Sequence, residues 1–200
     1  MVNFEHPDIR QIKEYAVENN IPIMEDEGIR FLITFITKNK IKSILEIGTA
    51  IGYSSIKMAM SDPDVKITSI ERDKVRYLEA LKNIKKMKLE DRITLIYNDA
   101  LDVKLKEKYD LIFIDAAKGQ NIHFFEHFER NLNNNGFFIT DNISFHGMLD
   151  KEESTIESRN VRGLIRKIKA YIAFLEQNEN YNTVIRYSIG DGIAISQKKS

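Results

Sequence analysis

Short apolar runs alternate along the chain with stretches whose apolar positions recur every three or four residues. The runs Ser43–Ile47, Lys66–Ile70, Ile93–Tyr97, Leu111–Ile114 and Phe137–Thr140 predict strands. The helical spacing between them predicts helices near Tyr53–Met60, Lys74–Met87 and Ile122–Leu132. Ahead of the first strand, Ile29, Leu32, Ile33 and Ile36 recur at helical spacing, and a helix around Ile9–Val17 precedes them. A long amphipathic helix near Arg159–Leu175 leads into two more strands, Thr183–Ser188 and Ile193–Ser196, joined across the turn signal Gly190-Asp191-Gly192. Strands alternating with helices imply an α/β fold. The expected form is a doubly wound, seven-stranded sheet, mostly parallel, with a C-terminal antiparallel hairpin and N-terminal helices before it. No repeat or linker divides the chain, so one domain is expected over 1–200, with helices in 1–40 and the core in 41–200.

Composition narrows the class. The 200 residues carry 30 basic and 30 acidic side chains, and 42% are hydrophobic, which is enough to bury a core and excludes a disordered chain. No apolar run approaches the length of a membrane span, and Met1–Glu5 does not open a secretory signal, so no membrane partner is expected. Cysteine is absent, which removes disulfides, thiolate metal sites and a cysteine nucleophile, and fits a cytoplasmic location. Zero net charge argues against a general nucleic-acid coat but leaves room for a local basic patch.

The segment Ile44-Leu45-Glu46-Ile47-Gly48-Thr49-Ala50-Ile51-Gly52-Tyr53-Ser54 runs from a buried strand through a glycine turn into a helix. Gly48 and Gly52 let the backbone turn tightly and approach a ligand without a Cβ in the way. Glu71 ends the next strand, where a carboxylate can accept both hydroxyls of a ribose. An ordinary βα turn followed by a solvated acid would read the same way. Two details turn the reading from a dinucleotide. The glycine spacing is Gly-x-x-x-Gly, and Glu46, just before the turn, could hold an ammonium group.

Two further strands end in polar groups. Tyr109–Ile114 runs into Asp115-Ala116-Ala117-Lys118, and Phe137–Thr140 into Asp141-Asn142. Carboxyl ends of neighbouring strands in a doubly wound sheet face one crevice. Asp115, Asp141 and Asn142 could converge there as three oxygen ligands for a hard cation such as Mg²⁺. Each acid taken singly could instead cap the helix that follows it.

These stretches resemble the class I S-adenosylmethionine-dependent methyltransferases, in the metal-dependent catechol and caffeoyl-CoA O-methyltransferase type, which have a Rossmann-like fold. The resemblance rests on Glu46–Ser54, Phe113–Gln120, Thr140-Asp141-Asn142 and Gly190–Ser196, in order from about Ile21 to Ser196. One position departs, since Ala50 stands where many class I enzymes have glycine. The resemblance implies S-adenosyl-L-methionine and Mg²⁺, or another divalent cation, as cofactors. It implies Asp115, Asp141 and Asn142 as metal ligands, and Lys118 with Asp115 as the catalytic pair. Cofactor contacts carry over to Met24, Ser54, Glu71, Asp99, Ala100 and Asp115, with Glu46 and Gly48 in the same pocket. It also implies a homodimer.

Within that type the chain is similar to the bacterial tRNA 5-hydroxyuridine methyltransferases, through Ile21–Glu25, Thr49–Gly52 and Ala116–Gln120. The implied reaction is Mg²⁺-dependent methylation of 5-hydroxyuridine at the tRNA wobble position, giving 5-methoxyuridine. Independently, Ser158–Ala170 holds Arg159, Arg162, Arg166, Lys167 and Lys169 with no acid, a cluster suited to the phosphates of an anticodon stem-loop or simply to a solvated helix face. O-methylation of small catechol-type molecules is the alternative, and a catalytically silent nucleoside- or RNA-binding protein is a third. His123 and His127 lie one helical turn apart without a pattern that suggests a metal, and Phe124, Phe125 and Phe128 read as packing residues.

Overall fold

A computed structural model describes residues 6–145, 147–150 and 155–200 of the chain. The strands are β1 (Ser43–Ile47), β2 (Lys66–Glu71), β3 (Ile93–Tyr97), β4 (Tyr109–Ile114), β5 (Leu132–Thr140), β6 (Tyr181–Arg186) and β7 (Ile193–Lys198). The helices are α1 (Pro7–Glu18), α2 (Asp26–Lys38), α3 (Tyr53–Ala59), α4 (Lys74–Lys86), α5 (Asn121–Phe128) and α6 (Arg159–Gln177). One seven-stranded sheet forms in the order β3-β2-β1-β4-β5-β7-β6. β1 to β5 run parallel, and β7 lies antiparallel between β5 and β6. The expected architecture is the observed one.

Strand periodicity divides the core in two. Ile44, Ile67, Leu111 and Ile139 point to one face and pack with apolar residues of α1, α2, α3 and α4. Leu45, Ile70, Ile112 and Phe138 point to the other and pack with Phe124, Phe125 and Phe128 of α5 and Tyr171 and Leu175 of α6. Strand order reverses at the β1–β4 junction, which opens a crevice at the carboxyl ends of the strands. Among the described residues no helix is long and apolar enough to cross a membrane.

Three boundaries differ from expectation, each for a physical reason. β5 begins at Leu132, which pairs with Tyr109 of β4; the polar Asn133-Asn134-Asn135-Gly136 that follows lies at a register shift before Phe137 pairs with Leu111, and the Asn133–Asp110 side-chain bond (2.8 Å) anchors it. The preceding helix therefore ends early, at Phe128, in a 3-10 turn over Glu129–Asn131. β6 starts at Tyr181 instead of Thr183, because the Tyr181 ring packs on Phe125 with centroids 5.0 Å apart and its hydroxyl donates to Glu129 at 3.1 Å. The β6–β7 connection is correspondingly longer than a tight hairpin, and Gly190-Asp191-Gly192 is its last part.

Candidate active site

A cavity of about 450 Å³ lies at the carboxyl ends of the strands, closed on one side by Pro22–Glu25 and on another by Gly190 and Asp191. Its floor is the turn after β1. There the Gly48 N–H donates to the Ile70 carbonyl at 3.0 Å, and Asp115 N–H donates to Ile47 at 2.9 Å, so the ends of three strands are tied together. Gly48 has φ +98°, and a Cβ on it would stand 2.1 Å from the Asp115 carbonyl oxygen. Ala50 takes the left-handed conformation at φ +46°. Its amide then donates to Glu71 Oε2 at 2.8 Å, while the Asp73 amide donates to Oε1 at 2.8 Å. Two backbone donors thus fix the Glu71 carboxylate, and each oxygen keeps a lone pair for a ligand. Asp99 is fixed similarly, by the Leu101 amide at 3.1 Å and by Arg72 Nη1 at 3.2 Å. Met24, Gly48, Ser54, Glu71, Asp99, Ala100 and Asp115 all line this one cavity.

Glu46 is the exception among the expected pocket residues. It is fully buried and lies beneath the cavity instead of lining it. Strand parity explains this: Glu46 shares a face with Ile44, opposite Ser69 in the β1–β2 register, and α3 covers that face. Its carboxyl group receives the hydroxyls of Ser54 (2.5 Å), Ser69 (2.5 Å) and Ser55. Burial raises its pKa to about 7, against the pull of the three hydroxyls. An acid whose folded pKa is raised favours the protonated folded state. Its contribution to stability is therefore greatest below the unfolded value near 4.5, declines as pH rises, and is lost once pH passes about 7. We expect about 3 kcal/mol from this group across that window. Urea unfolding at a series of pH values should show the decline, and Glu46→Gln should flatten it. An unchanged slope in the variant would assign the pH dependence to other groups.

The other end of the cavity is the candidate metal centre. Asn142 Nδ2 lies 3.0 Å from Asp141 Oδ2 and 3.4 Å from Asp115 Oδ1, so the three side chains expected to converge do so. Asn142 reaches this place through a left-handed backbone, φ +61°, which asparagine adopts readily. Burial pushes both carboxyls above the usual range; the nearby Asp115 raises Asp141 further, and Lys118 opposes the rise in each. Two buried acids that repel each other form a donor set that a divalent cation would relieve. Among the described residues no three His, Cys, Asp or Glu side chains gather as a metal cluster, so a cation held between Asp115 and Asp141 would have to draw a third protein oxygen from Asn142. Its amide presents nitrogen to the two acids; half a turn of the amide presents oxygen to a cation.

Lys118 lies at the rim. Its ammonium is 3.9 Å from Asp191 Oδ2 and 5.1 Å above the centre of the Phe145 ring. Asp191 is buried, lines the cavity, and is held by its own backbone, whose carbonyl accepts from Ser144 N–H at 2.8 Å. Sequence reasoning took Asp191 only as a turn residue and passed over Phe145, Arg72 and Arg76. An acid in the loop beside the sheet's carboxyl edge was the available signal for Asp191. For Phe145, seated beside Lys118, no sequence signal existed.

The basic helix divides. Arg159, Arg166, Lys167 and Lys169 are exposed on α6. Arg162 is turned inward instead, donating to the Ile156 and Glu157 carbonyls ahead of the helix, because that segment's backbone has no helical partners. Lys167 lies over the turn that carries Lys118: a Cβ on Gly119 would stand 3.2 Å from Lys167 Cδ. His127 Nε2 pairs with the Val103 carbonyl at 2.8 Å, and Phe125 stacks on Phe138 with centroids 4.0 Å apart, in line with a packing role.

Comparison with known proteins bears on this geometry. The family model described as O-methyltransferase matches residues 2–199. An Arabidopsis thaliana protein provisionally assigned as a caffeoyl-CoA O-methyltransferase is 30% identical over 97% of this chain and 87% of its own length. A Populus kitakamiensis caffeoyl-CoA O-methyltransferase is 26% identical, again over 97% and 87%. The crystal structure of a Staphylococcus aureus protein, provisionally assigned the same activity, superposes with a TM-score of 0.90 at 36% identity, covering 97% of this chain and 93% of that one. A Bacillus cereus O-methyltransferase solved with S-adenosylhomocysteine has the same fold, with a TM-score of 0.85, 21% identity, and 100% and 94% coverage.

Proposed function

The chain belongs to the S-adenosylmethionine-dependent O-methyltransferase family, and from that premise we propose that it methylates the 5-hydroxyl of 5-hydroxyuridine in a tRNA anticodon loop. The observation that carries the RNA part of this reading is the position of α6. The helix passes over the Lys118–Gln120 turn at the cavity mouth, with Lys167 against Gly119 and the exposed cations Arg159, Arg166 and Lys169 along its length. Such a helix suits backbone phosphates while an unstacked base enters the cavity. Arg162, occupied by two carbonyls, is left out of the phosphate contacts.

The chain's own groups divide the work by position. Glu71, fixed by the Ala50 and Asp73 amides, is placed to accept the ribose hydroxyls of S-adenosylmethionine, and Asp99 and Ala100 to meet its adenine. Met24 covers the cavity from the side of α2. Asp115 stands between the cofactor end and the Asp141–Asn142 end, so it serves both. A divalent cation held by Asp115, Asp141 and Asn142 would lower the pKa of a bound hydroxyl and orient two neighbouring oxygens, such as the 5-hydroxyl and 4-oxo groups of the base. Lys118 presents its ammonium beside that place and stabilises the oxyanion that attacks the methyl carbon in line.

A second reading, O-methylation of small catechol-type acceptors, is favoured by the relatives assigned as caffeoyl-CoA O-methyltransferases. Nucleoside mass analysis of tRNA from cells lacking the protein separates the two. Loss of 5-methoxyuridine with accumulation of 5-hydroxyuridine is the expected outcome. An unchanged tRNA profile, with turnover of caffeoyl-CoA by the purified protein, would replace the RNA reading by the second.

A further inference from the structure

The sheet ends on one side at β6, whose six residues pair with β7 in one unbroken register. Among the described residues no other strand pairs with its outer side, so alternate backbone N–H and C=O groups face outward there. Sheet edges are commonly blunted by lysine, proline or a bulge, and β6 has none of the three. Its side chains alternate between two faces. Tyr181, Thr183 and Ile185 turn toward α6, with the Thr183 hydroxyl donating to the Leu175 carbonyl at 3.2 Å, and Asn182, Val184 and Arg186 are exposed on the other face.

Val184 is 46% exposed and stands at the end of an apolar row. The row crosses the sheet through directly paired residues, from Phe113 on β4 to Ile139 on β5, Ile195 on β7 and then Val184. Phe113 and Ile139 are fully buried, so a core row runs out to the sheet edge and stops there without a polar rim. Tyr187, just past the strand and also exposed, adds apolar surface at the same edge.

We propose that a second copy of this chain docks on this edge, its β6 pairing antiparallel with the first about a twofold axis through Val184. Such a contact requires a strand complementary to itself, and this register supplies one. Val184 meets the partner subunit's Val184, and the apolar row passes unbroken from one sheet into the other. Arg186, the one charged side chain of β6, meets the partner subunit's Asn182, whose amide oxygen can accept from the guanidinium. The two arginines then stand at opposite ends of the pair, about 13 Å apart along the strands. Centring the axis one residue earlier, on Thr183, would set Val184 against Asn182 and end the row. An unrelated strand would have to match the same order of polar, apolar and cationic side chains; a second copy does so by symmetry.

The chain contains no cysteine, so a Val184→Cys variant carries a single thiol. Mild oxidation should link it into a covalent dimer, because directly opposite Cα atoms in an antiparallel pair lie about 4.5–5.5 Å apart, within disulfide reach. Asn182→Cys should stay unlinked, since the two copies of that residue stand about 13 Å apart along the strands. Sedimentation of the unchanged protein should show a concentration-dependent dimer, and Val184→Lys should weaken it at least about tenfold by setting two like charges directly opposite. Residues 182 and 184 are exposed and do not line the cavity, so thermal melting and S-adenosylmethionine affinity should be unchanged in all three variants. A monomer at every concentration, a dimer indifferent to Val184→Lys, or linking through Asn182→Cys in place of Val184→Cys would each overturn the proposal.

Discussion

Gly48→Ala should lose S-adenosylmethionine binding and at least about 3 kcal/mol of stability, a far larger effect than a single methyl group usually has. The added Cβ would stand 2.1 Å from the Asp115 carbonyl oxygen, 2.8 Å from its carbonyl carbon and 3.2 Å from Ala116 Cα. All three are backbone atoms at the end of β4, with no flexible side chain to swing aside. Residue 48 also has φ +98°, where an L-residue is strained whatever the space around it. Relief would have to come from moving β1 and β4 apart, which displaces Asp115 and opens the turn that brings Ala50 N–H to Glu71. Both ends of the cofactor site are therefore affected at once. Chemical denaturation and calorimetry with S-adenosylmethionine would measure the two losses. Gly163→Ala on α6 is the control. A Cβ there meets nothing within 4 Å, so the change should stabilise the helix by up to about 1 kcal/mol. Similar behaviour of the two variants would mean that the β1 turn is not the tight junction described.

The difference between these two glycines shows how far the chain could be read without its fold. Strands β1 and β4 were legible because each lies buried on both faces and reads as an apolar run. The polar end groups were legible because a doubly wound sheet gathers the carboxyl ends of its strands, which is why Asp115, Asp141 and Asn142 meet. What escaped depends on which way a side chain faces. Glu46 stands next to the ligand turn in sequence, yet strand parity sends it under α3 to meet Ser54, Ser55 and Ser69. Arg162 belongs to a basic run, yet its guanidinium closes the backbone ahead of α6. Asp191 comes to its cavity only through tertiary packing, from the loop between β6 and β7. The polar half of β5 escaped because it is an irregular stretch between two β4 pairings, Leu132 with Tyr109 and Phe137 with Leu111, and has no apolar pattern of its own.

Asp141→Ala combined with Asn142→Ala should abolish methyl transfer while leaving the cofactor bound. Only Asp115 would remain of the converging oxygens, and a hard divalent cation needs several. Turnover should fall at least about a hundredfold, since the activation of the acceptor hydroxyl is worth several kcal/mol. Folding should survive, because one of two mutually repelling buried acids is removed together with the amide that bridges them. S-adenosylmethionine affinity should change by less than about threefold. The groups assigned to its ribose and adenine, Glu71 and Asp99, sit at the ends of β2 and β3 and take their fixing bonds from Ala50, Asp73, Leu101 and Arg72, none of which touches residues 141 or 142. A chelator acting on the unchanged protein should reproduce the pattern of no turnover with cofactor retained, and added Mg²⁺ should restore the unchanged protein but little of the double variant. Mn²⁺ binding, followed by its paramagnetic signal, would report the metal site without any reaction, and should be lost only in the variant. Loss of cofactor binding in the variant would mean that the Asp141–Asn142 turn supports the cavity instead. Full activity in the presence of chelator would remove the cation from the reaction and leave the Lys118 ammonium, with Asp191 behind it, as the group that stabilises the attacking oxygen.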